Sequence, residues 1–221
     1  MTAEFGGAVT IDTFSATRVY DKLSLLVVLA AVTGAVGYAI ASTGLLLLGI
    51  VTGFVLAMIG IFKPATAKYV APLYALAEGL ALGSLTALYS TTTKGIAPLA
   101  IIFTAGVYLA ALVIFRSGLV KVTPKFVSMT VMAGFGFLVV MLASVFGLFP
   151  GFGGATGLLV FGVIGLVLGV AYLFIDFNYV QLGEQQRLPA EGEWYAALAL
   201  MMSLVFVYIS ILRILASQGR R

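Results

Sequence analysis

The sequence predicts an all-α membrane protein, a single bundle of seven transmembrane helices. Three observations carry this. Of 221 residues, 62% are hydrophobic and only 9% charged, against roughly 25% charged in a soluble domain. So few polar side chains cannot cover a soluble globule of this size. Charge-free runs extend over Leu23–Phe62 and Phe126–Ile175, each at least twice the ~20 residues that one helix needs to cross the hydrocarbon. Turn-forming clusters divide both runs.

The elements follow in order. Residues 1–22 read as a polar leader containing Arg18 and Lys22. Spans are expected at 23–41 and 44–62, separated by "ASTG" (Ala41–Gly44). A third span, 70–90, is interrupted only by Glu78, and a fourth covers 95–115. The second long run gives spans at 126–148 and 157–182, divided by the Pro/Gly cluster "LFPGFGGATG" (Leu148–Gly157). A seventh span covers 194–215, leaving 216–221 as a short basic tail. "AIA" before Ser42 resembles a signal-peptide cleavage site. Its apolar stretch, however, exceeds the roughly 7–15 residues of a signal core, and another span follows at once. The first helix is expected to stay. Gly49/Gly53, Gly79/Gly83 and Gly165/Gly169 are small residues four apart, a spacing that lets helix backbones approach in lipid.

Inventory excludes several chemistries. With no Cys and no His there is no Cys/His zinc site, no disulfide and no Ser–His or Cys–His nucleophile pair. Aspartyl proteolysis within the membrane needs two catalytic Asp, and only Asp176 lies in a span. The chain is therefore not expected to be an enzyme, and no cofactor is implied. The +4 charge is scattered, not gathered on one element, which argues against nucleic-acid binding.

Lys and Arg set the orientation. With the N-terminus inside, cytoplasmic segments carry Arg18, Lys22, Lys63, Lys68, Arg116, Lys121, Lys125 and Arg187, and the opposite loops carry Lys94 alone. The N-terminus is expected inside. Seven spans then place Arg213, Arg220 and Arg221 toward the other side, against the rule.

Six of the eight acids, Glu4, Asp12, Asp21, Glu184, Glu191 and Glu193, read as solvated groups of the leader and of the loop before the last span. Glu78 and Asp176 lie within spans, where an ionisable group costs at least ~2.5–3.5 kcal/mol and marks a functional candidate. Glu78 is ten residues beyond Lys68 and Asp176 eight before Glu184, so both sit roughly 12–15 Å from those markers. Ser203, ten residues after Glu193, matches that depth. Two carboxyls at one level can share a proton, and with Ser203 they offer oxygens for a weak calcium site. Glu78 and Asp176 are the expected ion ligands, with Ser203 as third partner.

"YALAEGLALGSL" (Tyr74–Leu85), "KVTPKF" (Lys121–Phe126), "IDFNYVQLGEQQRLPAEGEWYAALAL" (Ile175–Leu200) and "ISILRIL" (Ile209–Leu215) resemble the Bax inhibitor-1/YccA-like (transmembrane BAX inhibitor motif) family, in a bacterial branch. The resemblance implies a seven-helix bundle with the last helix central, in the bacterial inner membrane. It also implies kinship with pH-sensitive calcium leak channels and with regulators of cell death or membrane proteases. In the leaking members an acid near the end of the sixth helix pairs with an Asp on the seventh, ten residues before the Arg of an "LR" motif. Asp176 matches the first position, but Ser203 stands at the second. Glu78 is expected to supply the missing carboxyl, and Lys63 is the nearest candidate for the family's basic latch at the end of the second helix. Expected partners are the bilayer, calcium or other cations and, for a non-conducting regulator, another membrane protein met through small-residue stripes or the loop Gln181–Glu193.

Overall fold

A computed structural model describes residues 12–145, 148 and 154–219. Most of the leader, most of the Pro/Gly cluster and the terminal Arg220 and Arg221 lie outside the described residues. Among the described residues seven α-helices follow one another: α1 Ala16–Ile40, α2 Thr43–Phe62, α3 Ala67–Ser90, α4 Ile96–Arg116, α5 Pro124–Val145, α6 Ala155–Gln185 and α7 Gly192–Gln218. All seven are long and apolar enough to cross a membrane. Among the described residues no strand forms; Thr13 and Pro189 make one isolated antiparallel bridge.

Local chemistry explains the breaks. α1 stops where Ala41 turns left-handed (φ 50°) and its N–H returns to the Gly37 carbonyl. Ser42 then caps α2, its hydroxyl accepting from the Leu45 N–H at 3.4 Å, as an N-cap serine does. After Lys63, Pro64 opens a single tight turn leading into α3. "KVTPKF" is a helix start: the Thr123 hydroxyl accepts from the Phe126 N–H at 3.2 Å, and Pro124 takes the first helical position, where its missing N–H costs nothing.

Packing separates inner from outer helices. α3 and α7 are the most buried, α4 and α5 the least. α3 packs on α1, α2 and α7, while α7 also meets α1, α4 and α6. The three glycine pairs lie at such contacts: Gly49 against Ala77 and Ala81, Gly83 against the Gly34 backbone, and Gly165 and Gly169 against Ser210 and Val207.

Two boundaries correct the sequence reading. α1 begins at Ala16, so residues 12–22 are not simply a polar leader. Phe14 is 3% exposed in the core, and its N–H donates to the Leu188 carbonyl at 2.8 Å. At the other end α7 runs on to Gln218, taking up part of the expected tail. Asp12, Arg18 and Lys22, which read as part of a polar leader, are paired, as the site below explains.

Candidate functional site

Close approach of α6 and α7 creates the first site. Gly162, Gly165 and Gly169 of α6 leave no room for a Cβ against Ile214, Ser210 and Val207 of α7. With antiparallel helices, that register brings Asp176, further along α6, level with Ser203. The Ser203 hydroxyl donates to Asp176 Oδ2 at 2.5 Å, the short range of an O–H bond to a carboxylate. Ser203 is buried and Asp176 half-buried. Two of the residues expected to act together therefore do touch.

Glu78 is elsewhere. It is half-buried on α3 and faces α2, where a Cβ on Gly53 would come within 2.9 Å of the Glu78 Cδ. Among the described residues it makes no hydrogen bond or ion pair, with Asp176 or with any other group. Equal depth did not mean adjacency, because depth fixes height along a helix but not the face presented. The expected two-carboxylate ion site is thus not assembled here. Among the described residues no group of three or more Asp or Glu side chains gathers to hold a metal. Lys63 is exposed at the end of α2. Its carbonyl accepts from the Thr66 hydroxyl at 2.7 Å, and its ammonium forms no ion pair among the described residues, so it does not latch Asp176 in this conformation.

A cleft of about 550 Å³ opens between α1, α4 and α6 at the end of the bundle nearest Asp176. Phe177 and Asn178, the residues after Asp176, line it, together with Tyr20, Arg116, Gln181 and Glu184.

The strongest charge cluster was missed by sequence reasoning. Glu193, which reads as a solvated loop acid, is 1% exposed in the first turn of α7. Its Oε1 takes Arg18 Nη2 at 2.7 Å and Nε at 2.8 Å, and also accepts from the Ser15 N–H at 2.9 Å. Its Oε2 meets the Lys22 ammonium, which also lies 5.5 Å over the Trp194 ring. Arg18 further pairs with Asp12 at 2.9 Å. Glu184, from the end of α6, accepts from the Ala16 N–H at 3.1 Å. Two carboxylates from the α6–α7 hairpin thus satisfy N–H groups at the start of α1, where the helix dipole favours negative charge. One signal was available in the sequence: Arg18 and Lys22 are four apart, on one helix face, and the orientation count places them on the same side as Glu193.

Comparison with known proteins agrees with the fold. No curated protein matches the chain, but the family model described as Bax inhibitor 1 like matches residues 5–219. That match covers every described residue, the Arg18–Glu193 cluster and the Asp176–Ser203 contact included. The chain belongs to the Bax inhibitor-1-like family of membrane proteins.

Proposed function

We propose that this protein is a pH-responsive cation leak protein, with calcium as its ion and Asp176 as its sensing carboxyl. The observation that carries the reading is the 2.5 Å bond from Ser203 to Asp176 across the α6–α7 contact. Ionised, the carboxylate ties the two helices through a charge-assisted bond; protonated, it loses the charge that strengthens the tie. The cleft beside Phe177 and Asn178 gives this part of α6 an approach from one end of the bundle. One carboxylate and one hydroxyl are far short of the six to eight oxygens calcium prefers, which suits transient passage better than storage. The distribution of Lys and Arg supports a cytoplasmic N-terminus, and the bacterial inner membrane is the location that the family resemblance implies. No enzymatic step is assigned.

A second reading has its own observation. α4 and α5 expose long apolar faces, including Ile101, Ile102, Phe135 and Met132, that a non-conducting regulator would use to bind another membrane protein. Reconstitution into liposomes loaded with a calcium dye separates the two. Flux above protein-free liposomes supports the leak; its absence in correctly folded, correctly inserted protein overturns it and favours the regulator.

A further inference from the structure

Arg213 lies in α7, five residues before the helix ends at Gln218, and is half-buried. Its only hydrogen bond among the described residues goes from Nη1 to the Met141 sulfur at 3.3 Å, a weak acceptor. It has no ion pair among the described residues, and the connection 146–153 holds no acid in its sequence. A guanidinium carries five donors and a permanent charge, and a half-buried one near the end of a span needs acceptors at the interface to compensate it.

The space in front of Arg213 has a definite shape. A groove of about 270 Å³ runs between α5, α6 and α7, lined by Leu138, Met141, Tyr172, Phe206 and Ile209, with Arg213 at one end. Phe206 meets Phe137 at 5.7 Å and Tyr172 at 6.4 Å, both edge-on, forming an aromatic wall. Gly134 of α5 keeps the groove narrow: a Cβ there would lie 2.9 Å from the Tyr172 ring. Leu138 is still 42% exposed, so the groove opens sideways from the bundle. Arg213 sits roughly 7–8 Å inside the helix end, and the apolar length runs from it toward the Tyr172 level, deeper in the bundle.

We propose that this groove binds an anionic phospholipid, its phosphate on Arg213 and one acyl chain along Leu138, Phe206 and Tyr172. The groove supplies one cation and no counter-charge. A phosphate matches the planar fork of donors in two-pronged fashion, and an apolar trough beside it suits an acyl chain and not a free phosphate. A zwitterionic lipid offers the same phosphate but brings its own cation, so a net-negative headgroup is selected.

The test is native mass spectrometry of the full chain released from micelles doped with equal phosphatidylglycerol and phosphatidylcholine. The wild type should retain phosphatidylglycerol preferentially, and Arg213→Gln should lower that preference roughly tenfold or more, as loss of a charged hydrogen-bonding pair implies. Lys94→Gln, an exposed cation outside the groove, should keep it. Should Arg213→Gln fail to fold, phosphatidylglycerol with a photoreactive acyl chain is crosslinked to the wild type, and adducts are expected on Leu138, Met141 or Phe206. Equal retention of both lipids, unchanged preference in a folded Arg213→Gln, or adducts confined to other helices overturns the assignment.

Discussion

Glu193 at the start of α7 receives Arg18 of α1 at 2.7 Å while being 1% exposed. The first and last helices are therefore tied at one end of the bundle by a buried carboxylate. Lys22 and the Ser15 N–H complete its contacts. Removing the carboxylate takes its hydrogen bonds from Arg18, 40% exposed, and Lys22, 20% exposed, both of which can turn toward water. Glu193→Ala is expected to lose about 1.5–3 kcal/mol, the range for hydrogen bonds to a charged group, short of the cost of leaving a charge buried and unpaired. Unfolding in mild detergent checks this. A loss as small as a surface substitution gives, within about 0.5 kcal/mol, would mean that the tie is ornamental.

Helix approach makes a second prediction. Gly83 of α3 lies directly on the Gly34 backbone of α1, whereas Gly106 of α4 has open space around it. Gly83→Ala is expected to destabilise by about 1–3 kcal/mol through overpacking against rigid backbone. Gly106→Ala is expected to be neutral or to gain up to about 1 kcal/mol from helix propensity. The same unfolding measurement on both variants reads the contrast; equal effects would place the α1–α3 contact elsewhere.

Ser203→Ala deletes the donor to Asp176 with little change in volume. Interhelical hydrogen bonds in membrane proteins contribute roughly 0.6–1.7 kcal/mol, so a loss in that range is expected, together with an altered calcium flux. A stability loss with flux unchanged would make the bond purely structural.

Glu78 faces Gly53 of α2 and not Asp176. Glu78→Gln is accordingly expected to leave the pH dependence of flux as in the wild type, and Lys63→Ala likewise, since Lys63 forms no ion pair among the described residues. Flux traces at several pH values decide this. A flattened profile in Glu78→Gln would restore it to the sensing site.

Much of the fold is legible in the sequence because the bilayer makes length and charge decisive. Each long uncharged run had to become helices, and "ASTG" and "KVTPKF" carry their own capping chemistry. Asp176 and Ser203 could be matched because both were counted from helix ends that face each other across one antiparallel pair. Glu78 was expected beside Asp176 and is not, because the same count says nothing about which side of α3 a residue occupies. Glu193 was misread for a different reason. A charged residue beside a polar loop looks solvated until its partners, some 170 residues earlier in the chain, are folded onto it. The start of α1 was missed with it, since Arg18, Lys22 and Asp12 look like a leader only while Glu193 is out of view.

The most direct measurement compares calcium flux into proteoliposomes, from acid to neutral pH, for wild type and Asp176→Asn. Asn keeps the shape at this position and can still accept from Ser203, but it cannot ionise. The account predicts a wild-type flux that changes with pH and an Asp176→Asn flux that is flat across the same range. Superimposable pH profiles for the two proteins would contradict it.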